Sequence, residues 1–311
     1  TSHIGRGGAE PAIELCQVVR GQQETCLGAL FTSVCAGYAL AKEGDMNEYG
    51  SDPFFQVPTS TVSSSEGSLE LPYFYYEASN LTALFRVDPG VVAAKLAGTG
   101  LAPGLTLGGK AIVVLFFGEY RRTSDHPYNE VGLGVAAVPN GVKLALGGWL
   151  DLYGNIANRR LGFFIISLPV TKPFADIRGR EVWGFPKFVT DIGFRWKNGE
   201  FVGDVQDPGG GEPILTLRGD LGLGVPAPST DYVFYSRVGD KDLRTVVDVR
   251  GRANLHRGSR LHLEVGGSDH RMAKDIVELG LNGMKPFVGM ATHQMQARLN
   301  SGEELPIRQG A

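Results

Sequence analysis

The chain has 311 residues, 42% hydrophobic and 20% charged, with 44 glycines and 17 prolines. That length can bury a large core without disulfide or metal staples, and the glycine and proline content implies many turns. Lys plus Arg number 30 and Asp plus Glu 33, for a formal charge of −3. No basic stripe is interleaved with aromatic residues, so nucleic acid is not an expected partner.

Cys16, Cys26 and Cys35 all fall near the N-terminus. Their odd number and the lack of a paired C-x-x-C argue against a disulfide framework or a zinc ribbon, and a reducing, cytoplasmic compartment is expected. The small-residue apolar run at 27–41 is shorter than the ~20 residues that cross a bilayer, so a packed helix is expected there and no membrane partner. Residues 9–43 carry helix-compatible spacing, and 44–68 are polar and turn-rich around Ser63-Ser64-Ser65. The expected organisation is therefore an N-terminal helical extension with a wrapping loop over 1–68, and a β-rich domain over 69–311.

From residue 69 onward the texture changes to short apolar runs divided by Gly, Pro, Asn and Asp. They fall at 73–76, 81–87, 111–120, 131–138, 142–149, 162–170 and 189–196, then at 201–205, 214–218, 231–236, 243–249, 253–256 and 260–265. Evenly spaced short strands of this kind predict a large antiparallel sheet or barrel. Two segments interrupt the series. One is a short helix at 89–96, with Asp88 as N-cap and Pro89 in its first turn; the other is the C-terminal stretch 272–299. No strand-helix-strand rhythm repeats, which disfavours a doubly wound parallel sheet.

Several motifs are weighed and set aside. Gly132 and Gly134 loosely match a dinucleotide fingerprint, but they lie within a strand pattern and not at a strand-to-helix turn, so they are expected to be barrel-wall glycines. No nucleophile elbow and no phosphate-binding loop occurs. His262 and Glu264 share one strand face, with Asp269 and His270 following, yet their spacing fits no tight ligand set; no metal and no cofactor is expected. His126 and His293 are isolated and read as surface or hydrogen-bonded histidines.

The informative stretch is Asp176-Ile-Arg-Gly-Arg-Glu-Val-Trp-Gly-Phe-Pro-Lys187-Phe-Val. It sets Lys187 directly after a proline and among Trp183, Phe185, Phe188 and Val189. An amine in apolar company is disfavoured as the ammonium, and a free amine attacks a ketone to form a Schiff base. The competing reading is a lysine that snorkels its head to water.

The run Gly179-Arg180-Glu181-Val182-Trp183-Gly184-Phe185-Pro186-Lys187 resembles the signature of the acetoacetate decarboxylase family, in which this lysine is the Schiff-base nucleophile. Leu84-Phe85-Arg86-Val87-Asp88 is similar to that family's entry into its barrel, and Tyr128-Asn129-Glu130-Val131 to its Tyr-x-Glu strand start. The resemblance covers roughly 71–299. It implies a mainly β (α+β) fold, a cone-like antiparallel barrel with peripheral helices, with Lys187 in a buried apolar cavity. Glu130 would move protons or orient the imine, and Tyr128, Trp183, Phe185, Phe188, Leu115 and Arg180 would meet the substrate.

Three positions depart from the family pattern. Phe188 stands where a second lysine usually follows the nucleophile. Ala78 stands where the family's substrate-carboxylate arginine is expected, and the apolar Val113-Val114-Leu115-Phe116 covers the place of a further acid. The resemblance and these departures together imply a homo-oligomeric carbon-carbon lyase acting on a hydrophobic carbonyl substrate, such as a polyketide-like or aromatic β-keto compound. Decarboxylation is favoured. Aldol and dehydration chemistry on the same imine, a cyclase or isomerase working without an imine, and a lipophilic-ligand binding barrel stay open.

Overall fold

The computed structural model describes residues 49–305. The expected N-terminal helix, the three cysteines and the apolar run 27–41 lie outside them. The chain divides into two compact units, Thr1–Pro58 and Thr59–Ala311. In the described part of the first, the Phe55 amide donates to the Asp52 carbonyl at 2.9 Å and the Phe55 ring meets Tyr49 and Phe54 edge-on.

The second unit begins with strands β1 (Ser60–Ser64), β2 (Gly67–Leu71) and β3 (Tyr73–Val87), then helix α1 (Pro89–Lys95). Next come β4 (Leu101–Pro103), β5 (Thr106–Leu107), β6 (Lys110–Thr123), β7 (Tyr128–Pro139), the short helix α2 (Trp149–Leu152) and β8 (Gly162–Val170). Helix α3 (Pro173–Trp183) leads into β9 (Lys187–Val189), β10 (Ile192–Lys197), β11 (Glu200–Val205), β12 (Leu215–Asp220) and β13 (Val225–Pro228). The chain continues through β14 (Tyr232–Val238), β15 (Lys241–Arg250), β16 (Arg252–Arg257), β17 (Leu261–Val265), helix α4 (Arg271–Glu278) and β18 (Val288–Glu304).

Seven of these strands close a ring in the order β3-β6-β7-β8-β14-β15-β18, and β18 pairs back onto β3. Closure leaves the wall without an unpaired edge. The expected β-rich barrel is therefore present, but it is mixed: β14 runs parallel to β8, and β9 lies parallel on the end of β8. A separate four-stranded sheet, β10-β11-β12-β17, lies with α4 over the outer faces of β3, β6 and β7.

This layering explains the composition of β6. Its run Ala111-Ile-Val-Val-Leu-Phe-Phe117 shows no polar alternation because both faces are covered, as in a sheet buried on two sides. Val113, Leu115 and Phe117 join the core under the second sheet, where Phe117 meets Phe201 edge-on at 5.4 Å. Val114 and Phe116 turn into the barrel lumen.

Four sequence-based expectations change. The stretch 44–68, read as loop, holds β1 and the start of β2; their hairpin is paired along its length and buries Leu69 and Leu71, with Val62 packed beside them. Residues 142–149, read as a strand, form a 3-10 turn leading into α2, with left-handed backbone at Leu146 and Gly147 breaking any extended run. The C-terminal stretch holds the helix α4 and then the long strand β18, which bends at bulges around Met295 and so pairs with β16 at one end and β15 at the other. Helix α3 is unannounced by the sequence pattern, because its residues lack an apolar stripe of helical period.

Gly132 and Gly134 are wall glycines of β7. Gly132 stands opposite Phe116, and a Cβ built there would overlap the Phe116 ring at 1.9 Å. The glycine lets the ring lie flat on the wall and fill the lumen. Gly132→Ala is expected to lower the unfolding free energy by about 1–3 kcal/mol through overpacking, measured by urea denaturation, and Phe116→Leu in the same chain to restore part of it.

Candidate active site

The site is assembled where α3 hands over to β9. Helix α3 starts with Pro173 in its first turn and ends at Gly184, whose φ of 64° is left-handed. A Cβ at Gly184 would sit 2.1 Å from the Arg237 carbonyl oxygen, so both the turn and the close approach require glycine there. The amides of Gly184 and Phe185 donate back to the carbonyls of Arg180 and Gly179, each at 3.1 Å. Beyond the turn, Leu168 N–H donates to the Pro186 carbonyl at 3.1 Å and Lys187 stands opposite Leu168 on β8. These bonds fix the Lys187 backbone against the barrel wall.

The Lys187 side chain then crosses the helix at Gly179. A Cβ on Gly179 would lie 2.4 Å from Lys187 Cδ and 2.5 Å from Cε. The first glycine of the signature is thus a groove for the lysine stem. Lys187 Nζ meets Glu130 Oε2 at 2.5 Å, with the two side chains only 6% and 7% exposed. Glu130 is carried by β7, and its other oxygen accepts from the Tyr120 hydroxyl at 3.1 Å.

Three tyrosines surround this pair. Tyr75 and Tyr128 share a hydrogen bond at 3.0 Å, Tyr120 packs on both of their rings, and Lys187 Nζ lies 5.7 Å from the Tyr128 ring centroid. Burial, above all, holds the phenols of Tyr75, Tyr120 and Tyr128 well above the usual tyrosine range, and the nearby Glu130 carboxylate adds to it. They act as neutral hydrogen-bonding groups. Gly118, opposite Glu130 on β6, leaves the room that the Tyr120 ring occupies.

Lys187 and Glu130 stand on the wall of a cavity of about 100 Å³ inside the barrel, whose lining is otherwise largely apolar, including Val114, Phe116, Ile165, Phe185 and Phe234. On the other side of Lys187 a void of about 20 Å³, bordered by Tyr128 and Trp183, is large enough for a single water molecule.

Of the residues expected from sequence, the structure brings together Lys187, Glu130, Tyr128, Trp183 and Phe185. Trp183 borders the lysine from the smaller void and donates from its indole to the Asn300 carbonyl at 2.8 Å. Leu115, Phe188 and Arg180 are placed elsewhere. Leu115 alternates with Val114 and Phe116 and so faces the outer core. Phe188, next to the inward-facing Lys187, turns outward onto His270 at 4.4 Å between rings. Arg180 is half exposed and paired along its own helix with Asp176 at 2.9 Å. Its neighbour Glu181 accepts from the Ser65 amide and hydroxyl, which lowers its pKa and ties α3 to the β1–β2 hairpin. Ala78 is buried in the lumen cluster.

Sequence reading missed Tyr120, Tyr75, Asn80 and Thr82. The available signal for Tyr120 was the β6–β7 hairpin: pairing Tyr120 with Tyr128 places it diagonally next to Glu130. Among the described residues no group of three or more His, Cys, Asp or Glu could hold a metal ion. His262 and Glu264 lie side by side at 3.5 Å on a half-exposed strand face, and His270 caps α4 by accepting from the Met272 amide at 3.2 Å.

Two outcomes follow from this geometry. Gly179→Ala is expected to push Nζ away from Glu130 and cut Lys187 reactivity toward ketones by about 100-fold or more, read as adduct formation, with the far-UV circular dichroism unchanged. Because the lumen phenols ionise less readily folded than the ~10 of an unfolded tyrosine, folding loses stability as pH rises above ~10. Absorbance titration should show exposed tyrosines ionising first and the lumen tyrosines only together with unfolding.

A family model described as acetoacetate decarboxylase matches residues 56–248, more than half of the chain. No curated protein matches. Among solved structures, the chain is similar to the acetoacetate decarboxylase of Legionella pneumophila, at 14% identity and a TM-score of 0.56, covering 82% of this chain and 95% of the other. It is similar to the enduracididine biosynthesis enzyme MppR, solved with the condensation product of pyruvate and imidazole 4-carboxaldehyde, at 15% identity and a TM-score of 0.56, with 79% and 97% covered. An acetoacetate decarboxylase-like enzyme from Sphingomonas wittichii RW1 aligns at 16% identity and a TM-score of 0.53, with 76% and 94% covered. The shared barrel and the family match over its wall and signature leave one assignment: this chain belongs to the acetoacetate decarboxylase family.

Proposed function

We propose that this protein is an imine-forming enzyme in which Lys187 condenses with a hydrophobic β-keto compound and the adduct loses carbon dioxide. The observation that carries the reading is the buried contact between Lys187 Nζ and Glu130 at 2.5 Å on the wall of an apolar cavity. A lysine serving only to snorkel its head into water would not be 6% exposed.

The sequence of steps uses groups already in place. The ammonium of Lys187 passes a proton across the short contact to Glu130, and the free amine adds to the substrate carbonyl carbon. Glu130 returns the proton to the departing hydroxyl, water leaves, and an iminium remains. The bond to the carboxylate then breaks; its electron pair moves to the iminium nitrogen, giving an enamine and carbon dioxide. Protonation at carbon and addition of water release the ketone and regenerate the amine.

The lining supports loss of a carboxylate. Among the described residues bordering the cavity Lys187 is the one cation, and Glu130 already offsets it. A substrate carboxylate placed there is poorly compensated, and its cost is relieved when neutral carbon dioxide forms.

Reduction with borohydride in the presence of a model ketone, followed by peptide mapping, is expected to place a single adduct on Lys187. Lys187→Ala should abolish the adduct, and Glu130→Gln should slow its formation by roughly 100-fold or more. Turnover of a β-keto acid that leaves Lys187 unlabelled would rule out the imine and favour a cyclase or isomerase working by shape and Glu130 alone.

A further inference from the structure

We propose that Asn80 and Thr82 form a second recognition point in the Lys187 cavity, selecting substrates that carry an additional uncharged oxygen acceptor at the far end of an otherwise apolar body. The proposal rests on the imine reading for the position of the reacting carbonyl, and it concerns the opposite end of the same molecule.

Both residues line the cavity from β3. Asn80 is 8% exposed, and its Oδ1 accepts from the Thr82 hydroxyl at 2.8 Å. That bond occupies the carbonyl end of the amide and leaves its nitrogen as the donor that this residue brings to the cavity lining. The nitrogen has no hydrogen-bond partner among the described residues. Near the lysine, Tyr120 and Lys187 are both hydrogen-bonded to Glu130, and Tyr75 to Tyr128; the Tyr232 hydroxyl is a further polar group of the lining, carried by β14 on another part of the wall. A ligand that fills the cavity and covers this donor without offering an acceptor incurs its desolvation cost, and a ligand oxygen removes that cost.

Strand register gives the spacing. Asn80 stands opposite Gly118 on β6, and Gly118 opposite Glu130 on β7, so the three share one row and one face of the wall. Neighbouring strands are ~4.8 Å apart, which puts the Asn80 backbone roughly 10 Å from that of Glu130. The side chain missing at Gly118 leaves the room that the Tyr120 ring takes between them. Phe116, opposite Thr82, supplies an apolar wall beside the amide. Among the described residues no cation borders this end, so a ketone, ester or amide oxygen fits the donor and a second carboxylate does not.

The test uses the full chain, straight-chain methyl ketones of increasing length, and matched chains ending in a second methyl ketone. Thermal stabilisation against ligand concentration gives binding; borohydride reduction with peptide mapping reports the imine on Lys187. At one chain length the diketone should bind roughly five- to tenfold more tightly than the monoketone, beyond the roughly twofold statistical advantage of two carbonyls. Asn80→Leu, close in volume, should remove that preference and keep monoketone binding. Asn80→Asp, which replaces the amide donor with a carboxylate, should remove it as well and serves where the leucine variant does not fold.

Equal affinity for both series at every length, or a preference that survives both substitutions, overturns the assignment. A preference lost in the variants with no adduct in any protein supports Asn80 and removes the imine reading. Adducts on Lys187 without a diketone preference do the reverse, and absence of stabilisation by any ketone overturns both.

Discussion

A lysine ammonium and a glutamate carboxylate held at 2.5 Å inside a largely apolar barrel set the terms for everything around them. Taking two charges out of water costs several kcal/mol for each, and their attraction repays it only when geometry is good and the remaining hydrogen-bonding capacity is met. The surroundings answer that requirement atom by atom. Tyr120 serves the second oxygen of Glu130, the Tyr75–Tyr128 pair closes the polar layer beside it, and Gly179 admits the lysine stem between helix and wall. A pair of this kind contributes little to stability, but it keeps an amine and a proton acceptor in register within a site from which water is largely excluded.

The barrel wall makes such a site possible because each strand serves two cores. On β6 alternate residues face the lumen and the second sheet, so one run of apolar side chains builds both the cavity and the support behind it. The outer sheet and α4 are therefore part of the site's construction: they cover the back of β3, β6 and β7 and free the front of those strands to carry Asn80, Gly118 and Glu130 in one row. Closure through the β18–β3 pairing completes the enclosure, with the bulges of β18 letting one strand serve two neighbours on its other edge.

Membership of the family does not by itself name the reaction, since the similar structures include both a decarboxylase and an enzyme solved with a pyruvate condensation product. The chemistry of the lumen narrows the question. Ala78 and the Val113–Phe116 stretch leave the wall without the expected arginine and acid, while Asn80 and Thr82 offer neutral polarity. Those differences bear on the substrate proposed for the cavity, and the Lys187–Glu130 contact stands beside them unchanged.

Much of this was legible in the amino-acid order. The spaced apolar runs between turn residues reported the β-rich barrel because strand pairing is punctuated by glycine and proline, and Asp88-Pro89 marked α1 because capping is a local matter, realised in the bond from Gly90 N–H to Asp88 Oδ1 at 2.8 Å. The signature around Lys187 pointed to the lysine of the cavity wall, and the strand start at Tyr128 to the carboxylate that it meets. Side-chain direction was not legible: Leu115 belongs to an apolar stretch buried on both faces, where period two gives no sign of which face is the lumen, and Phe188 sits in a three-residue strand too short to show a period. Nor was the part played by Tyr120 or Asn80, whose meaning depends on strands brought together from distant parts of the chain. The sequence by itself determined that a β-rich barrel forms and that Lys187 and Glu130 are the pair to look for in it. Only the tertiary structure decided which neighbours surround them, because register and closure are collective properties of seven strands and no single segment contains them.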